Sequence, residues 1–390
     1  MAKKSHTAFD GFKDANMRDF DSDSINPVDY VSTGVYLLDG ILGRVGNTGR
    51  RGLGLSKIVE IFGENKVCKS ELSRCIAQSF MKQKFGGSLE PNGVMMFCDQ
   101  EHATDTAKFN TGISDPARAT FMDVATLESF YVNFMRFQKN IIEQKQPCGL
   151  CVMDSLAACH TAKELTRDIK AEQIPAAKAQ IHSRALSVLR PKLAESNTLT
   201  IFINQTRDKV NTMGNPSQSA GGKAIKFYAD YRIEIRYVSN FWVTTGTVRP
   251  ASGESPHGMV IEVHTVKNKI DMPMRKLKLY MTFRPSQGMS SGISPMWTTF
   301  YNLKDAGFIK VRGGRNHFDG ESFEKRDWVQ YWKSFTNGDG MPNGALLTAC
   351  DGFIAQLMPE TFEFAGDSDD EDDAEVQDML GDLEPPSLDD

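Results

Sequence analysis

An α/β fold built on a mostly parallel, twisted sheet is predicted for this chain of 390 residues by three observations. Between Ser32 and about Thr282, short apolar runs alternate with stretches of helical periodicity, the order that parallel β-α-β units produce. Several of those runs close on polar or acidic residues, as strands do at the edge of a ligand site in such sheets. The composition, 40% hydrophobic and 24% charged, is that of an ordinary soluble globular protein.

The elements follow in order. Residues 1–31 are polar, with Phe9, Phe12 and Phe20 set among charges, and read as an N-terminal arm that contacts a neighbouring subunit. Residues 32–285 hold the sheet. Its strands are expected at Ile58–Phe62, Val94–Cys98, Leu150–Met153, Thr198–Asn204, Tyr231–Tyr237, Val260–Val266 and Leu277–Thr282. Leu127, Phe130, Phe134, Phe137 and Ile141 repeat at helical spacing and read as core. Residues 183–196 predict a second helix, kinked at Pro191, that carries Arg184 and Arg190. Residues 286–366, Gly-rich and aromatic, read as a small C-terminal lobe, and residues 367–390 as a disordered acidic tail.

That tail holds twelve Asp or Glu and no Lys or Arg, so the net charge of −5 conceals an asymmetry. Without it, 38 acidic residues face 45 basic ones, a body of +7. A basic body with an acidic tail suits a nucleic-acid-binding protein that screens its own surface, while charge counts alone slightly favour a plain solubilising tail. The odd number of cysteines, seven, forms no disulfide framework, and Cys148 and Cys151 read as core thiols of a reducing compartment. No apolar run approaches the ~18 residues of a membrane span, and no secretory signal follows Met1, so the expected location is cytoplasmic.

The chemistry concentrates at strand ends. Gly63-Glu64-Asn65-Lys66-Val67-Cys68-Lys69-Ser70 follows one apolar strand and opens a helix, the context of a phosphate-binding loop. There backbone N–H groups and a helix N-terminus meet phosphate oxygens, a Lys reaches the β- and γ-phosphates, and a hydroxyl ligates Mg²⁺. Cys68 stands where that motif ordinarily has Gly. Leu150–Met153 closes on Asp154, the place of a carboxylate that orders Mg²⁺ and water. Val94–Cys98 leads to Glu101, a carboxylate placed to activate a water. Beyond Gln205 and Arg207 lies a stretch, Asp208–Ala220, with no apolar pattern of its own; Arg207 and Lys209 are candidate phosphate contacts, and Val210 and Met213 candidate wedges between bases.

The sequence resembles the RecA-type recombinases over roughly residues 32–285. The resemblance is carried by Ser32-Thr-Gly34 with Leu38-Asp39, Phe97-Cys-Asp-Gln-Glu101-His102-Ala103, and Ser196 through Gln205. Gly214-Asn-Pro216, Gly221-Gly-Lys-Ala-Ile-Lys-Phe-Tyr-Ala229 and Val266-Lys-Asn-Lys-Ile270 complete it. The non-glycine before Lys69, the short arm and the acidic tail are similar to the phage branch, the UvsX-type recombinases.

The resemblance implies a P-loop ATPase core and a DNA-dependent ATPase that forms helical filaments on single-stranded DNA and exchanges strands with homologous duplex. It implies ATP and Mg²⁺ held by Gly63–Ser70 and Asp154, adenine contact at Asp105, and water activation by Glu101. Gln205 would sense the γ-phosphate and pass its state to the DNA segment, which Gly221 and Gly222 close. Lys267 and Lys269 would reach ATP on the neighbouring subunit, with Lys226 and Phe227 at that interface. The partners implied are DNA and further copies of the chain, with room for single-strand-binding and mediator proteins and none for a membrane; a phage-encoded form would work in the host cytoplasm. The departures are Lys108 where the family stacks a tyrosine on adenine, and a second DNA loop without its phenylalanine. A ring-forming helicase or remodelling ATPase of the same fold is the alternative; it shares the phosphate loop and Asp154 but does not predict Gly221–Ala229 or Lys267-Asn-Lys269.

Overall fold

The computed structural model describes residues 29–43, 51–101, 115–166, 175–208, 217–219, 223–242, 255–283, 291–337 and 340–357. The arm through residue 28, the acidic tail, Asp105, Lys108, Lys209, Val210, Met213, Gly221 and Gly222 lie outside these.

From the N-terminal side, β1 (Tyr30–Val31) pairs with β2 (Leu53–Gly54), and α1 (Tyr36–Leu42) lies between them in sequence. Next come β3 (Ile58–Gly63), α2 (Lys69–Lys82), β4 (Val94–Asp99) and β5 (Ala119–Met122). They are followed by α3 (Leu127–Glu143), β6 (Gly149–Asp154), α4 (Ala162–Leu165), α5 (Pro175–Glu195) and β7 (Thr198–Asp208). The chain continues through β8 (Ser217–Ser219), α6 (Lys223–Tyr228), β9 (Tyr231–Phe241), β10 (Gly258–Asn268) and β11 (Lys276–Thr282). It ends in β12 (Gly292–Ile293), α7 (Pro295–Asp305), the antiparallel β13 (Lys310–Arg312), β14 (Arg315–Phe318) and β15 (Glu321–Phe323), then α8 (Trp328–Ser334) and α9 (Gly344–Gln356).

The main sheet runs β12-β11-β10-β9-β3-β7-β6-β4-β5. From β9 to β5 the pairs are parallel, while β10, β11 and β12 add on antiparallel. Every expected strand is present, extended by a few residues at its ends. Successive side chains point to opposite faces, and both faces are covered. One face sends Val59, Ile61, Phe97, Val152, Ile201 and Ile233 against α1, α2 and the C-terminal elements. The other sends Ile58, Met96, Cys98, Cys151, Met153 and Phe202 against Phe130 and Phe134 of α3 and Leu186, Leu189 and Leu193 of α5.

The helical spacing at Leu127–Ile141 is α3, capped by a reciprocal Thr126–Ser129 box. The second helix starts at Pro175 rather than 183 and continues through Pro191. Cys148 and Cys151 are buried free thiols. Trp297, Phe300, Trp328 and Phe353, from the segment read as a small C-terminal lobe, share one apolar core with Leu37, Ile61 and Phe97. Among the described residues, no helix is long and apolar enough to cross a membrane.

Candidate active site

Sheet register builds the site. Gly63 at the end of β3 is level with Gln205 on β7, and Asp99 at the end of β4 is level with Asp154 on β6. Four parallel strands therefore deliver their polar ends to one edge, where crossover connections leave a crevice.

The loop after β3 carries two residues in the left-handed region, Lys66 at φ 65° and Cys68 at φ 64°. Alternation of this kind turns successive N–H groups inward as an anion-binding nest. Cys68 thus adopts the backbone that a glycine takes most easily, and its Sγ lies 3.2 Å from Met259 Sδ on β10. The missing glycine changes the side chain and leaves the loop able to make the turn. Gly63 has no such latitude, because a Cβ there would collide with the Ile235 carbonyl of β9. Lys69, almost wholly buried, donates from Nζ to the carbonyls of Gly63, at 3.1 Å, and Glu64. Burial lowers its pKa, opposed by Glu101 and Asp154.

Asp154 is buried and raised to about 6, chiefly by desolvation; the Ser70 hydroxyl and Lys69 work against the rise, and Glu101 and Asp99 add to it. Its Oδ1 accepts no hydrogen bond among the described residues. A buried carboxylate oxygen without a donor, beside a serine hydroxyl, fits a hard divalent cation with oxygen ligands. Ser70 and Asp154 are the residues that would hold Mg²⁺.

Glu101 is exposed, yet one of its oxygens is held twice. Gln205 Nε2 donates to Oε1 at 3.0 Å, and Ser155 Oγ donates to the same atom at 2.9 Å. The backbone of Glu101 is tied down as well, its N–H donating to Asp99 Oδ1 at 3.1 Å. Beyond Gln205, β7 runs on to Asp208, and Ser217–Ser219 returns antiparallel to it, Thr206 opposite Ser219. Within the stretch Asp208–Ala220, the described residues Asp208 and Ser217–Ser219 thus belong to a strand pair, with Arg207 on the same strand β7.

A second group of cations lies where β9 and β10 begin and end. Lys267 Nζ donates to the carbonyls of Lys226 (2.7 Å) and Phe227 (3.2 Å), and Phe227 is 72% exposed. Desolvation, with Lys269 and Arg232 nearby, lowers Lys267 to about 8. Asn268, between the two lysines, fixes the turn that follows it: it donates to Leu42 O at 2.8 Å and accepts from the N–H groups of Ile270 and Asp271. Arg190 is spent inside the subunit, bonded through both Nη atoms at 2.7 Å to the two oxygens of Asp230.

Ser155 and Asn268 were not assigned roles from sequence, although each adjoins a residue that was. The buried Glu60, bonded to Asn204 and Arg232, was also missed, and its signal was a charge inside the apolar run Ile58–Phe62.

Residues 9–290 match the RecA N-terminal domain family. The chain is 33% identical to Protein RecA of Borreliella afzelii over 268 residues, 67% of this chain and 65% of that protein. It is 32% identical to Protein RecA of Mycoplasma mobile over 267 residues, 67% of this chain and 70% of the relative. With Protein RecA of Thioalkalivibrio sulfidiphilus it shares 29% identity over 310 residues, 79% and 80% of the two chains. The chain thus spans from just under two thirds to four fifths of these relatives' lengths.

Proposed function

The chain belongs to the RecA family, and on that premise we propose that it is an ATP-dependent recombinase, which polymerises head-to-tail on single-stranded DNA and exchanges strands with a homologous duplex. The observation that carries this is the Gln205–Glu101 bond. It joins the water-activating carboxylate to the strand that leads into the DNA segment, so the state of one end is felt at the other.

In this reading the nest at Lys66–Cys68 and the N-terminus of α2 hold the phosphates. Lys69 exchanges its loop carbonyls for phosphate oxygens and neutralises charge as it develops on the transferred group. Mg²⁺, when bound by Ser70 and Asp154, neutralises phosphate charge in the same way. Glu101 takes a proton from the attacking water. Lys267 and Lys269, with exposed Phe227 beside them, supply the contact to the next subunit's nucleotide. Contacts between unlike faces that do not close produce an open helix, which pairing along a DNA strand requires. The phage-type affiliation rests on Lys66-Val67-Cys68-Lys69-Ser70 and the acidic tail.

The test is joint-molecule formation between circular single-stranded DNA and homologous linear duplex with ATP, beside electron microscopy of the same mixture. Joint molecules and open filaments are expected. Closed rings without joint molecules would overturn the proposal in favour of a motor ATPase.

A further inference from the structure

Glu101 poses a geometric problem. It lies on an exposed loop end, and a glutamate side chain free in solvent samples many rotamers. General-base catalysis needs the carboxylate within hydrogen-bond reach of one water, and misplacement by 1 Å costs orders of magnitude in rate. Something must hold it, and two donors do, both at Oε1. Among the described residues Oε2 accepts no bond, which leaves it as the proton acceptor.

The two donors differ in kind. Gln205 is half-buried near the open end of β7, next to the segment expected to meet DNA. Ser155 is fully buried, directly after Asp154, and the N–H of the next residue, Leu156, is tied to Ile203 O at 2.9 Å. A hydroxyl has one hydrogen, and here it points at Glu101. Burial denies it water as a competing acceptor. Half-buried Gln205 can exchange this bond for water, and fully buried Ser155 cannot.

We infer that Ser155 is a positioning residue for hydrolysis: its hydroxyl keeps Glu101 aimed whether or not Gln205 is engaged there. The inference rests on the ATPase reading of the site. In the step it serves, the water oxygen bonds to the γ-phosphorus as the bond to the β–γ bridging oxygen breaks. ADP and phosphate form, and the water proton passes to Glu101 Oε2. Ser155 exchanges no atoms; it fixes where Oε2 stands. Gln205 then reports the nucleotide state without having to carry the base.

The experiment measures ATP turnover by the full chain, with and without single-stranded DNA, for the wild type, Ser155→Ala, Glu101→Gln and the double variant. Single-turnover release of labelled phosphate gives the sensitivity needed in the slow backgrounds. A hydrogen bond to a charged group corresponds to a loss of about 10- to 100-fold. Ser155→Ala is expected to lose that factor in kcat with KM for ATP unchanged, and to lose nothing further when Glu101 is already Gln. Ser155→Cys, close in volume but a weak donor, should show the same loss and guards against misfolding of the alanine variant. Wild-type kcat in both Ser155 variants would overturn the inference. So would an equal loss in the Glu101→Gln background, because a merely structural role acts whatever stands at 101. A wild-type protein without DNA-stimulated turnover would instead remove the ATPase reading beneath it.

Discussion

Lys267 and Phe227 are joined within one subunit: the lysine Nζ lies 3.2 Å from the phenylalanine carbonyl and 2.7 Å from that of Lys226. These are carbonyls of the last residues of α6, where helical C=O groups lack intrahelical partners and a cation is favoured. The phenylalanine ring is left in solvent. If Lys267 reaches a neighbour's phosphate in the proposed filament, it must leave these acceptors, and docking of the exposed Phe227 ring on that neighbour would then couple assembly to delivery of the cation.

A pH dependence follows. Lys267 is lowered to about 8, first by desolvation, then by Lys269 and Arg232, while Asp230 and Glu60 oppose the shift. Its charged form is lost as pH rises through about 8, well below the ordinary lysine value of about 10.4. A contact that needs the cation must take up a proton above that pH, so it weakens there. The protein concentration giving half-maximal DNA-stimulated hydrolysis should rise between about pH 7.5 and 9, and Lys267→Arg, charged throughout, should flatten the rise. An identical rise in the arginine variant would assign it to another group.

At the nucleotide, Lys69→Ala should reduce turnover by about 100-fold or more, since it removes the cation that stabilises charge in the transition state. Glu101→Gln should bind ATP and DNA normally and hydrolyse about 100-fold or more slowly, leaving long-lived filaments. Filament lifetime by light scattering separates the two, because the alanine variant is expected to assemble poorly. Wild-type turnover in Glu101→Gln would end its assignment as base.

Legibility in the sequence was uneven for physical reasons. Parallel strands buried on both faces are continuous apolar runs, so β3, β6 and β7 announced themselves, as did the 3.6-residue period of α3. The edge strand β5, partly exposed along Ala119–Met122, has no such run and was missed. Lys69, Glu101 and Asp154 were singled out because they lie at or just after strand ends, and Gln205 because of the family resemblance; the register brings those strand ends to one edge. Ser155 and Asn268 were not, because their roles depend on which side chain faces them across the fold, and a single serine or asparagine carries no spacing signal. Arg190 was read as a basic residue carried by its helix, since nothing in the sequence places Asp230 beside it.

The strand bearing Arg207 supplies a test of the DNA segment. Arg207→Ala should weaken single-strand binding to a similar extent for all sequences, with a salt slope smaller by roughly one unit or less, as one phosphate contact gives. ATP hydrolysis without DNA should change little. Titrations at several salt concentrations check this, and an unchanged slope would remove Arg207 from the interface.

Arg190 gives the opposite expectation, because its charge is already committed. Asp230 is 1% exposed and receives both Arg190 bonds as well as the Ile58 N–H at 2.9 Å, so it ties α5 and β3 to the start of β9. Removing one partner of a buried pair leaves a desolvated charge, commonly at a cost of about 3–5 kcal/mol. Two features reduce that here: the Arg190 side chain is 34% exposed, so water can reach part of the gap, and Lys57 also acts electrostatically on Asp230. Arg190→Ala is therefore expected to lower unfolding free energy by about 2–3 kcal/mol in urea titrations. Replacing Asp230 by Asn as well should restore part of the loss, because the buried charge is then gone while the Ile58 N–H keeps an acceptor. The salt slope for single-stranded DNA should match the wild type in both variants. A slope smaller by about one unit, with stability unchanged, would mean that Arg190 leaves Asp230 to meet phosphate, and the ion pair would then be a resting contact of a DNA-binding side chain.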